Sequence, residues 1–135
     1  MKYLYLLILS ILAIFIHGYE FAVSDQEIFI PYIYKYQDES LFTHDQIFNQ
    51  ISSSASLFYP LFGLIVKYLD IQSIFIISYL LFNYFFFIGI YKLAEIIFND
   101  GKKAYLSLIP FFLPKFIGGT ATFTFDTFFG YRSFG

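Results

Sequence analysis

The chain has 135 residues, one domain's worth at most. It is 59% hydrophobic and only 13% charged, against about 25% charged residues in an ordinary soluble domain, so its composition is that of a membrane chain. A net charge of −2 offers nucleic acid nothing to hold, and the absence of cysteine excludes disulfides, thiolate metal sites and cysteine nucleophiles.

The first apolar run covers residues 3–19 and carries no charge until Glu20. Met1-Lys2 in front of it would suit a signal peptide, but a cleavage site wants small residues at two nearby positions. His17-Gly18-Tyr19-Glu20-Phe21-Ala22 supplies bulky and charged ones instead. The run therefore reads as a retained first span, short but within the roughly 17–25 residues that cross a bilayer. His17 near its end reads as an interfacial hydrogen-bonding residue rather than a proton relay.

The chain then turns acidic. Between residues 20 and 45, Glu20, Asp25, Glu27, Asp38, Glu39 and Asp45 face a single base, Lys35. Ser24-Asp25-Gln26-Glu27, followed at once by Ile28-Phe29-Ile30, has the spacing of a capping box. Ser24 would be the N-cap and Glu27 the third helical residue of an amphipathic helix over residues 25–36. Asp25 in the first turn would favour the helix dipole. A second reading makes Asp25 a carboxylate at the water–lipid boundary. Partial burial raises the pKa of such a group and lets it serve as a general base. Both readings stay open on the residues alone.

Residues 46–66 are uncharged but open on Asn49, Gln50 and Ser52-Ser53-Ser54, and contain Pro60. A polar start of this kind suits a helix lying in the interface. Residues 71–91 are more uniformly apolar and form the second span, with Lys92, Glu95, Asp100, Lys102 and Lys103 behind them. Residues 104–117 read as a third, broken span, interrupted by Pro110, Pro114 and Lys115. Short cytoplasmic loops collect Lys and Arg. Keeping Lys92, Lys102 and Lys103 on the side of Lys2 requires residues 46–66 not to cross. The expected fold is an all-α integral membrane protein with three spans and one or two juxtamembrane helices. Its outer loop covers about residues 20–70, with the N-terminus in the cytoplasm of a plasma-membrane protein.

The order of features resembles the start of the GT-C superfamily of membrane glycosyltransferases. A first span is followed by Asp25-Gln26-Glu27 opening a helix, then by "ESLFTHDQ", and then by a juxtamembrane segment "ASLFYPLFGLIVKYL" leading into the next span. The resemblance covers only the front of such an enzyme. It implies a polyprenyl- or dolichyl-phosphate-linked sugar as donor, Asp25 as the catalytic acid's counterpart with Glu27 beside it, and further spans in a longer chain. The rival expectation is a non-catalytic multi-pass protein, such as a small assembly or transporter subunit, or a truncated inactive relative.

Other constellations are weaker. His44 and Asp45 with Asp25 and Glu27 could supply hard-cation ligands, but nothing fixes them at ligand spacing, and Asp45 is an equally natural N-cap for Gln46 onward. No cofactor is expected. Arg132, the only arginine, stands in "GYRSFG". Its planar guanidinium would clamp a lipid phosphate, or anchor the chain in the interface between Tyr131 and Phe134.

Overall fold

The computed structural model describes residues 1–49, 57–112, 116–117 and 122–123. The fold is helical: α1 (Lys2–His17), α2 (Gln26–Gln37), α3 (Gln46–Asn49), α4 (Phe58–Ile65), α5 (Ile71–Phe98) and α6 (Gly101–Leu106), with a 3₁₀ turn over Ile109–Phe112. A two-residue antiparallel ladder pairs Phe116 with Phe123 and Ile117 with Thr122. The chain divides into two units. The first holds Met1–Tyr19 and the described part of Ser78–Thr127, and the second holds Glu20–Ile77.

Helix α5 has 28 residues, about 42 Å at 1.5 Å per residue, against roughly 30 Å of bilayer hydrocarbon. It is strongly apolar, and only 28% of its most hydrophobic 18-residue stretch is buried. A core helix of a soluble protein would be mostly covered, so length, composition and exposure together make α5 a candidate membrane span. The helix runs seven residues past the expected end at Tyr91 and takes in Lys92 and Glu95. Helix α1 is shorter, 16 residues or about 24 Å. Residues 104–117, expected as a third span, do not form one helix: α6 ends at Leu106 and the 3₁₀ turn follows. The ladder tightens at Leu108, whose N–H bonds the Tyr105 carbonyl three residues back at 3.1 Å, and Pro110, with no N–H to give the Leu106 carbonyl, keeps it from resuming as an α-helix.

In the first unit α1 and α5 run antiparallel. Lys2 Nζ lies 3.6 Å from a Glu95 carboxylate oxygen, while Tyr19 at the other end rests on Tyr79 at 5.3 Å between rings. The chain then folds back along α5, setting Tyr105 against Tyr91 and Phe112 against Phe87. Leu6, Ala13, Phe87, Tyr91, Ala94, Ala104 and Leu108 form its buried core. Polar side chains inside these helices satisfy themselves locally. Ser10 Oγ donates to the Leu6 carbonyl at 2.8 Å and Asn83 Nδ2 to that of Tyr79 at 3.0 Å, so neither brings an unmade hydrogen bond into an apolar setting.

In the second unit α4 packs on α2 at a glycine. A Cβ on Gly63 would come within 3.1 Å of the Ile33 carbonyl oxygen and 3.1 Å of Tyr36 Cβ, so any side chain there would press α2 back by a few tenths of an ångström. Aromatic rings fill the rest: Phe29 meets Phe58 and Tyr59 edge-on, and Phe75, in the second turn of α5, meets Phe21, Phe58 and Phe62. At eight residues, about 12 Å, α4 is far too short to cross a bilayer.

Candidate functional site at the head of α2

The capping box expected at Ser24 and Glu27 does not form. Helix α2 opens one residue later than expected, at Gln26, and its N-cap residue is Asp25, whose backbone is already helical and whose side chain makes no cap bond. Ser24 has φ +53°, whereas a capping serine needs an extended backbone to aim its hydroxyl at the amides ahead. Its carbonyl does the work instead, accepting from the Glu27 N–H at 3.1 Å. The side chain that reaches back is that of Gln26. It is fully buried, and its Oε1 accepts from the Ala22 N–H at 2.7 Å. Ala22 has φ +60°, so the segment enters α2 through two left-handed residues, neither of them glycine.

Asp25 is half-buried, Glu27 is exposed and Gln26 between them points inward. The two acids therefore share the first turn without sharing an environment. The Asp25 carbonyl accepts from Ile28 and Phe29. Pro31 lies inside α2 and, lacking an N–H, cannot donate to the Glu27 carbonyl, which loosens the first turn where both acids sit. Four residues before Asp25, the Phe21 ring packs edge-on against Phe75 at 6.1 Å. The head of α2 thus stands beside the opening turns of the candidate span.

The remaining expected residues are not drawn together. Among the described residues no group of three or more His, Asp or Glu side chains is placed to hold a metal ion. His44 is exposed and Asp45 half-buried. Burial, with the Asp45 charge as a smaller cause, raises the Tyr32 phenol above its ordinary value. Asp38 is held below the ordinary carboxylate value by hydrogen bonds from the Ser40 hydroxyl and amide, at 2.6 and 2.9 Å. Arg132 lies outside the described residues. His17 makes the kind of bond expected of it, with Nε2 3.1 Å from the Phe111 carbonyl oxygen.

Two features were missed in the sequence. Gln26 carries no motif, since an amide two residues into a helix has many roles. The trio of Lys2, Tyr91 and Glu95, with the Tyr91 hydroxyl donating to Glu95 at 3.1 Å, had only the i, i+4 spacing of Tyr91 and Glu95 as a signal. No family model matches the chain, and neither a curated protein nor a solved structure is significantly similar to it.

Proposed function

We propose that the chain is the membrane-inserted front of a GT-C-like glycosyltransferase, with Asp25 as its general base. In this reading α1 and α5 cross the bilayer, and residues 104–117 form a third, broken membrane segment. The N-terminus is cytoplasmic, and residues 20–70 form the outer loop with α2 and α4 as its juxtamembrane helices. The observation that carries it is the position of Asp25: a half-buried carboxylate at the head of α2, four residues from a ring packed on the second turn of α5. A carboxylate there meets both an aqueous acceptor and a lipid-borne donor.

The reaction is a sugar transfer. Asp25 accepts the proton of an acceptor hydroxyl as that oxygen bonds to the sugar's anomeric carbon. The bond from that carbon to the carrier phosphate breaks, and polyprenyl phosphate leaves with the electron pair. Glu27, exposed on the same turn, faces the acceptor side, and Arg132 would neutralise the leaving phosphate. Further spans in a longer chain would complete the donor cavity.

Asp25→Asn in the protein expressed in cells lacking it tests this. Asparagine keeps the shape but takes up no proton near neutral pH, so glycan product should fall by on the order of 10²–10⁴-fold at unchanged expression, with Glu27→Gln milder. Wild-type product from Asp25→Asn would leave the rival, a non-catalytic assembly or transporter subunit.

A further inference from the structure

We infer that the open groove between α1 and the α6–3₁₀ segment holds one anionic phospholipid of the cytoplasmic leaflet, its phosphate at Lys2 and Lys102. The groove has a volume of about 880 Å³, inside the roughly 300–1,000 Å³ of ligand pockets, and lies wholly within the first unit. Its body is apolar: Tyr5, Ile8 and Leu9 on one wall, Leu106, Ile109 and Phe112 on the other. Tyr5, Ile8, Leu106 and Ile109 are each more than half exposed, so their side chains are open to an occupant.

Polarity is concentrated at one end. Met1, Lys2 and Lys102 also line the groove. Leu9 stands seven residues further along α1 than Lys2, about 10 Å away. Glu95 fixes the Lys2 ammonium from the side, and Lys102 makes no ion pair among the described residues. An apolar slot with cations at one mouth matches a lipid lying along it, acyl chain inward and phosphate at the lysines. Basic pockets between helices on the cytoplasmic side hold anionic headgroups in this way. A zwitterionic lipid would fill the slot equally well but gain less at the mouth.

This inference rests on the membrane placement proposed above, and the experiment separates the two. The chain contains no tryptophan, so single reporters can be introduced: Ile109→Trp in the groove, and Phe85→Trp on α5, whose side chain is 64% exposed. The chain is reconstituted in phosphatidylcholine vesicles containing acyl-brominated phosphatidylglycerol or acyl-brominated phosphatidylcholine, and fluorescence quenching is read against mole fraction. The groove reporter should favour the anionic lipid about fivefold or more, and Lys102→Gln should lower that preference about fivefold. Lys2→Gln, which also leaves the Glu95 carboxylate unpaired at the mouth, should lower it at least as much. Raising the salt should lower it too, as the Debye length shrinks from about 10 Å at 0.1 M to about 3 Å at 1 M. Lys103→Gln, one residue away but off the groove, should lower it much less. Equal quenching by both lipids, or an equal loss with Lys103→Gln, overturns the groove site and leaves an ordinary lipid-facing surface. No quenching at position 109 also overturns it, and means that protein fills the groove. If the reporter at position 85 is not quenched either, the membrane placement itself has failed.

Discussion

Ala22 and Ser24 both hold φ near +55° (60° and 53°) ahead of α2, where a side chain costs about 1–2 kcal/mol relative to glycine's freedom. Ser24→Gly should therefore stabilise the start of α2 by about 1 kcal/mol. Ser24→Ala, which would cost about 1 kcal/mol if Ser24 capped the helix, should change little. Amide hydrogen exchange at Gln26 and Glu27 distinguishes the two: slower in the glycine variant, unchanged in the alanine one. Gln26→Leu removes the acceptor of the Ala22 N–H and should cost about 1 kcal/mol, read as faster exchange at Ala22. The sequence misled here for a definite reason. Ser-x-x-Glu before an apolar run fits a capping box, but the pattern fixes only identities and spacing, and the sign of φ at Ser24 depends on the turn through Ala22. Asp25 as a half-buried acid was legible; the inward turn of Gln26 was not.

At the scale of elements, two contacts make quantitative demands. Gly63→Ala gains up to about 1 kcal/mol of helix propensity in α4 but places a Cβ 3.1 Å from a backbone carbonyl of α2, which cannot swing aside as a side-chain tip would. Overpacking of roughly 1–3 kcal/mol should win, and Gly63→Leu should cost more than Gly63→Ala. Faster exchange over residues 34–37 of α2 would show it. Gly89→Ala, where a Cβ meets nothing within 4 Å, serves as the control and should not destabilise. The other contact is the start of α5, where the Asp70 carboxylate accepts from the Ser73 N–H at 2.9 Å. Hydrogen bonds from the Ser73 hydroxyl and amide hold Asp70 below its ordinary value. A lowered folded pKa means that the cap's contribution is complete above the unfolded value of about 3.9 and is lost as pH falls through the folded one. The Ser73 amide resonance should titrate with a midpoint below that value, and Asp70→Asn, still an able cap, should abolish the titration. A midpoint at or above the ordinary value would mean that the cap bond is absent in solution. The apolar runs showed where α1 and α5 lie, because a long apolar run without Pro satisfies its backbone groups most simply within a helix. Their ends were less legible: α5 continues past Tyr91 because Lys92 and Glu95 are good helix formers whatever their charge.

For the whole molecule, the antiparallel pairing of α1 with α5 gathers Lys2, Glu95, Lys102 and Lys103 towards one end of the first unit. In the membrane placement proposed above, this cluster of lysines would mark the cytoplasmic end of the two spans. The described part of the expected third span is not one continuous helix. Pro110, visible in the sequence, frees a carbonyl whose tolerance in a membrane depends on whether neighbouring helices cover it. The most direct test of the membrane placement uses the absence of native cysteine. Single cysteines at Ser40, Asp70 and Lys103 are probed on intact cells with a membrane-impermeant thiol reagent. Ser40→Cys and Asp70→Cys should label from outside, and Lys103→Cys only after permeabilisation. Labelling of Lys103→Cys on intact cells to the same extent as Ser40→Cys would contradict a crossing by α5, and protection of Asp70→Cys alongside a labelled Ser40→Cys would show that residues 46–66 cross instead.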